Sequence, residues 1–155
     1  MKRIEKNEIT EYLPHRGKMF LVDTILDYDT KAWTISSQTA VTRDFMFFDG
    51  EAQGVPNYAL FEVAAQTISS LTGIYAKENN LPVNMGLILT VSKFHFDKNI
   101  VPEGTNVLVQ AERESTVGNV YAFNVNLSAD EEPLGQGKLT VMEITGEEAA
   151  KITAN

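Results

Sequence analysis

The chain has no cysteine, only two histidines and no long apolar run, and each shortage removes a class of chemistry. Without cysteine there are no disulfides, no thiolate metal ligands and no cysteine nucleophile. With His15 and His95 alone, a histidine-rich metal cluster is excluded as well. No stretch reaches the roughly 18 uninterrupted apolar residues that a membrane helix needs. The start, MKRIEKNEITEYL, carries charges where a signal peptide would carry its apolar core, so the expected compartment is the cytoplasm, away from any membrane. Basic residues are scarce: 13 Lys and Arg against 21 Asp and Glu give a formal net charge of -8. A field of that sign repels the phosphates of nucleic acids and of anionic lipids, so neither is an expected partner. Lys2, Arg3, Lys6, Arg16 and Lys18 gather near the start, where a solvated helix face accounts for them.

What is present suffices for a core. With 155 residues and 43% hydrophobic side chains, a single domain over residues 1–155 is expected. Residues 6–13 suit a short helix stopped by Pro14. Phe20 to Tyr28 and Ala32 to Val41 read as antiparallel strands joined by Asp29-Thr30-Lys31, the second alternating Trp33, Ile35, Ser37, Thr39 and Val41. Residues 42–55 set Phe45, Phe47 and Phe48 beside Asp49-Gly50 and Gly54, which suits a loop that lines a cavity or packs on the core. Pro56 stands at an expected first helical position; the helix runs to Ala76, and Lys77-Glu78-Asn79-Asn80 closes it before Pro82. Beyond it the period becomes two, over Met85 to Phe96, Asn106 to Glu114, Val120 to Ser128 and Gln136 to Ile144. The first of these strands is apolar on both faces, as for a strand covered twice or continued across a subunit boundary. The tail after Gly146 reads as a weak helix or a frayed end. The order is that of an α+β chain whose curved antiparallel sheet wraps one long central helix.

That helix is apolar around nearly its whole circumference, and between Pro56 and Ala76 its only formal charge is Glu62. An unpaired charge inside a protein costs several kcal/mol, so a carboxylate there needs a reason. One reason is catalysis, because burial moves carboxyl groups toward acid behaviour near neutral pH. The other is structural, a carboxylate that meets an arginine or a backbone N–H. Gln66, one turn beyond on the same face, is placed to orient it in either case.

Three blocks of residues resemble a known family. Leu13-Pro14-His15-Arg16-Gly17-Lys18-Met19-Phe20-Leu21-Val22-Asp23 is similar to LPHRxPFLLVDR, the opening segment of the β-hydroxyacyl-(acyl carrier protein) dehydratases of the hot-dog fold. Phe48 through Gln66 resembles that family's HFPxxPxMPGVxxxEAxAQ, with Pro56, Glu62, Ala65 and Gln66 in register. Lys93-Phe94 followed by Val101-Pro102-Glu103-Gly104 is similar to RFRRPVVPGD with extra residues between. One departure stands out: the family's spacing puts Phe48 where its catalytic histidine belongs. In this respect the chain resembles a divergent branch of predicted dehydratases that includes those of aryl-polyene pathways.

The resemblance implies removal of water from a 3-hydroxyacyl thioester, giving a trans-2-enoyl thioester in fatty-acid or polyene-type biosynthesis. Such a reaction needs a base for the α-proton, an acid for the leaving hydroxyl and a donor to polarise the carbonyl. On this reading Glu62 binds or protonates the hydroxyl. The N-terminal amides near Asn57 and Tyr58 hold the carbonyl, and Phe48, Pro56 and Gln66 complete the substrate site. His15 is the better candidate for the base, or else fixes its turn; His95, Asp23 and Asp49 have surface, packing or turn roles. No metal or redox cofactor is implied, since the substrate rides on phosphopantetheine, delivered by acyl carrier protein or coenzyme A. The carrier is acidic, so Arg16, Lys18, Lys93 or Lys98 is expected at the pocket mouth. A homodimer or a heterodimer with another hot-dog subunit is implied, and two further activities share the fold: a non-catalytic acyl-binding subunit and a thioesterase.

Overall fold

The computed structural model describes residues 2–153. The elements are β1 (Ile4–Glu5), α1 (Lys6–Ile9), a 3-10 turn at Gly17–Met19, β2 (Thr24–Asp29), β3 (Thr34–Ala40), β4 (Gly54–Pro56), α2 (Ala59–Glu78), β5 (Met85–Phe96), β6 (Ile100–Pro102), β7 (Asn106–Val117), β8 (Val120–Ala129), β9 (Glu132–Ile144) and α3 (Gly146–Thr153). Seven strands form one sheet in the order β1-β2-β3-β7-β8-β9-β5 with every neighbour antiparallel, while β4 and β6 pair separately.

Period-two alternation decides which face of that sheet is dry. Ile35, Val107, Val109, Ala111, Phe123, Val125, Leu127, Leu139 and Val141 are buried, in one cluster with Leu60, Val63, Ile68 and Leu71 of α2. The helix touches β3, β7, β9 and β5. From β3 to β5 is four strand spacings, ~19 Å across a flat sheet, so a helix about 10 Å wide reaches both only if the sheet curves around it.

Small side chains let α2 sit this deep. A Cβ added at Gly73 would lie 1.9 Å from the Tyr12 carbonyl oxygen, so the chain after α1 crosses directly on the helix backbone. The hydroxyls of Thr67, Ser37 and Ser70 are satisfied locally: Thr67 donates to the Val63 carbonyl at 2.8 Å and meets Ser37 Oγ at 2.7 Å, and Ser70 donates to the Gln66 carbonyl at 2.8 Å. The helix ends as its polar tail predicts. Asn80 adopts φ 55°, its N–H reaches the Lys77 carbonyl, and the Leu81 N–H reaches that of Ala76, which is a Schellman closure.

Three boundaries differ from expectation. Pro56 is the last residue of β4 rather than the first of the helix, because Gly54, Val55 and Pro56 pair with Pro102, Val101 and Ile100; α2 therefore starts at Ala59 with Tyr58 as its N-cap. The first helix is the short α1, preceded by β1. The first long strand begins at Thr24 rather than Phe20, because the Met19 carbonyl and the Leu21 N–H are bonded to Gln66 of α2 instead of to a strand. Of the two expectations for β5, coverage on both sides within the chain is not seen. It is an edge strand paired to β9 alone, with Leu89 47% and Val91 38% exposed. Among the described residues, no helix is long and apolar enough to cross a membrane.

Candidate active site

The site forms where the Pro14–Phe20 segment crosses the first turns of α2. Gln66 is the anchor. It is 1% exposed, its Oε1 accepts the Leu21 N–H at 2.8 Å, and its Nε2 donates to the Met19 carbonyl at 2.6 Å. A primary amide is the side chain that can serve a backbone donor and a backbone acceptor together. The same Nε2 lies 3.3 Å from Glu62 Oε1, one helical turn back.

His15 is held by its neighbour. The Arg16 guanidinium donates to the carbonyls of Leu13 at 2.6 Å, His15 at 2.8 Å and Thr10 at 2.9 Å, gathering the turn around one cation. This brings His15 Nε2 to 3.7 Å from Glu62 Oε1. That is long for a hydrogen bond. The imidazole is 13% exposed, and its Nδ1 is buried with no hydrogen-bond partner. Burial holds the His15 pKa below its ordinary 6.5; the Glu62 carboxylate pulls it up and Arg16 adds to the lowering.

Glu62 itself is less buried than its apolar surroundings in sequence suggest. Its side chain is 35% exposed, on a first turn of α2 whose Ala59, Leu60 and Val63 are buried. Clefts of 320 to 450 Å³ elsewhere on the single chain are lined by other residues. Beside Glu62, Phe61 meets Phe94 and Phe96 of β5 with ring centroids 4.7 and 5.3 Å away. The sequence placed Phe94 and Phe96 on one strand face, but their contact with the helix start depends on the tertiary fold.

The helix start offers fewer free amides than expected. The Asn57 N–H is taken by the Asn99 carbonyl at 2.9 Å, and its side chain donates to the Lys98 carbonyl at 3.0 Å, continuing the β4–β6 ladder. Asn57 is therefore a clamp on the loop and not a free donor. The Tyr58 N–H has no acceptor among the described residues, and its ring is 60% exposed. Phe48 is half-buried against the core in a turn whose N–H bonds to the Phe45 carbonyl. Arg16, expected at a pocket mouth, is engaged with the three carbonyls instead.

The remaining candidates have structural occupations. Asp23 pairs with Lys6 at 2.8 Å and accepts the Ala40 N–H at 2.8 Å. Asp49 accepts the Glu51 N–H at 3.0 Å within its turn. His95 is 79% exposed, 3.5 Å from Asp97. Among the described residues, no group of three or more His, Asp or Glu is placed to hold a metal ion.

Comparison with known proteins bears on this arrangement. The model of the ApeP-like family, described as ApeP dehydratase, matches residues 7–153. The 3-hydroxyacyl-[acyl-carrier-protein] dehydratase FabZ of Rhizobium leguminosarum bv. trifolii is 29% identical over 144 residues, covering 92% of this chain and 90% of that one. The FabZ of Chlamydia pneumoniae is 33% identical over 112 residues, covering 70% and 72%. Among solved structures, the dehydratase heterocomplex ApeI:P from Xenorhabdus doucetiae superposes with a TM-score of 0.84 at 19% identity, covering 95% of this chain and 97% of that one. The fold is thus the hot-dog fold, and the chain belongs to the ApeP-like dehydratase family.

Proposed function

We propose that the chain dehydrates 3-hydroxyacyl thioesters, presented on the phosphopantetheine of acyl carrier protein or coenzyme A, to trans-2-enoyl thioesters in fatty-acid or polyene biosynthesis. The observation that carries this reading is the His15–Glu62 pair, 3.7 Å apart at the start of α2. Elimination of water needs groups that move protons and a donor near the developing enolate oxygen. Glu62 and His15 are the first, and the unbonded Tyr58 N–H at the positive end of the helix is the second. Phe48 and Pro56 belong on this reading to the wall of the acyl slot.

A second hot-dog subunit closes that slot in our reading, either another copy or a different chain. Support comes from β5, a 12-residue edge strand with exposed Leu89 and Val91, since long apolar edges are otherwise avoided. The neighbouring ApeI:P structure is itself a heterocomplex. Lys18, Lys93 and Lys98 remain as exposed cations for the carrier's acidic surface.

The test is turnover of a short 3-hydroxyacyl thioester, followed by enoyl-thioester absorbance, with the chain alone and paired with a candidate hot-dog subunit. Glu62→Gln is expected to lower kcat by about 10³, at the scale of general acid–base catalysis. Release of free thiol without enoyl product would mean a thioesterase. Activity that survives Glu62→Gln in the pair would mean a non-catalytic acyl-binding subunit.

A further inference from the structure

A cavity of about 350 Å³ opens at the end of α2, lined by the rings of Trp33, Tyr75 and Tyr121 together with Asn84, Glu143 and Glu148. Tyr75 is ~20 Å along the helix axis from Glu62, at about 1.5 Å of rise per residue. The centroids of Trp33 and Tyr75 are 5.0 Å apart, and those of Trp33 and Tyr121 6.3 Å. Trp33 is the chain's only tryptophan, and it holds φ 57°, a left-handed turn position where glycine is the ordinary choice. One cation already uses this indole: the Arg113 guanidinium lies 4.2 Å from its centroid. The charges lining the cavity are negative. Glu143 accepts the Asn84 side-chain N–H at 3.1 Å and the Tyr121 hydroxyl at 3.0 Å, one on each oxygen, and among the described residues it forms no ion pair. Its two partners are neutral donors, which orient the charge without cancelling it. Burial and the Glu143 bond push the Tyr121 hydroxyl up to about 12, so it stays a donor at neutral pH. Glu148 accepts the Thr145 N–H at 3.2 Å, and the end of α2 adds the negative pole of the helix.

We propose that this cavity binds a quaternary ammonium group, the head of a trimethylammonium compound, at a site separate from Glu62 and His15. Such a cation has no N–H to satisfy; it is attracted by aromatic faces and by carboxylates that keep their charge, and the cavity presents both. An anionic ligand would be repelled by Glu143 and Glu148. A metal ion finds no group of three ligating side chains among the described residues. A primary ammonium would need acceptors for three N–H groups, and both Glu143 oxygens already accept bonds. The positive Arg113 beside Trp33 opposes the ligand, so the affinity is modest. The rings stand away from the β5 rim: Trp33 precedes β3 and Tyr121 lies in β8, four and two strand spacings off, ~19 and ~10 Å. The site therefore belongs to the chain whether or not a second subunit pairs along β5.

The single tryptophan makes the test direct, because its fluorescence reports on one wall of the cavity. Choline added to the full chain at constant ionic strength should give a saturable change, with a dissociation constant on the order of a millimolar. The uncharged isostere, with a tert-butyl group in place of trimethylammonium, should give none over the same range. Glu143→Gln should weaken choline binding about tenfold and Tyr75→Leu about threefold. Should Glu143→Gln fail to fold by circular dichroism, Glu148→Gln on the exposed α3 takes its place, with a loss of about threefold expected. The same titration with the chain paired to a second hot-dog subunit should return the same constant. No saturable change, an equal response to the isostere, an affinity indifferent to the carboxylate and tyrosine variants, or a site lost on pairing would each overturn the proposal. None of these outcomes bears on the dehydratase reading, which rests on other residues.

Discussion

The middle of α2 and its start make opposite uses of polar side chains. From Val63 to Leu71 no side chain is more than 6% exposed, and Gln66, Thr67 and Ser70 all have their hydrogen bonds met. At the start, Tyr58 is 60% exposed, Glu62 is a third exposed, and the contacts to Glu62 are longer than those Gln66 makes to the backbone. The middle holds the fold together and has little freedom. The start is left under-bonded, which on the proposed reading suits a group that exchanges protons with a substrate.

The sharpest way to break this contrast is to overfill the closed part. Gly73→Ala puts a methyl against the Tyr12 carbonyl, which is backbone and cannot swing away. A loss of about 3 kcal/mol is expected, the upper range for overpacking. For a chain of this size that is a Tm fall of about 6 to 12 °C by calorimetry. An unchanged Tm would mean that the crossing is loose. Next in size is Gln66→Leu, which orphans the Leu21 N–H and the Met19 carbonyl. About 2 kcal/mol should be lost in urea unfolding, with faster hydrogen exchange at Leu21. If the comparison holds, Glu62→Gln one turn away stays within about 0.5 kcal/mol of wild type, as surface positions do.

The smallest effect is a pH dependence. Burial holds the folded-state pKa of His15 below 6.5, its ordinary value. Above that value the imidazole is neutral in both states and its contribution to stability is intact. As pH falls through it, the unfolded chain takes up a proton that the folded one resists, and stability is lost. Urea midpoints measured at about pH 7.5 and about pH 5.5 should therefore fall more for wild type than for His15→Gln. Equal falls would place the imidazole in open solvent.

Long periodic elements were legible in the sequence. Met85 to Phe96 is β5 to the residue, and β7, β8 and β9 follow their alternation. The pairing of β4 with β6 was not legible, because three-residue strands carry no period and Pro56 mimics a helix start. In the site, Glu62 and Gln66 announced themselves as polar residues in an apolar helix. The approach of His15 was suggested only by the irregular Pro-His-Arg-Gly turn and the family resemblance. Two corrections, the engaged Asn57 amide and the engaged Arg16, depend on where loop carbonyls point. No local pattern encodes that direction.

The two rims of the sheet are guarded unequally. β1 offers two residues to a newcomer, whereas β5 offers twelve, several of them greasy. On the proposed pairing through that long rim, the chain's melting becomes a matter of mass action, rising with its own concentration or with that of the subunit that joins it. Synthesis in step with the mate would then do for this fold what a longer core does for others.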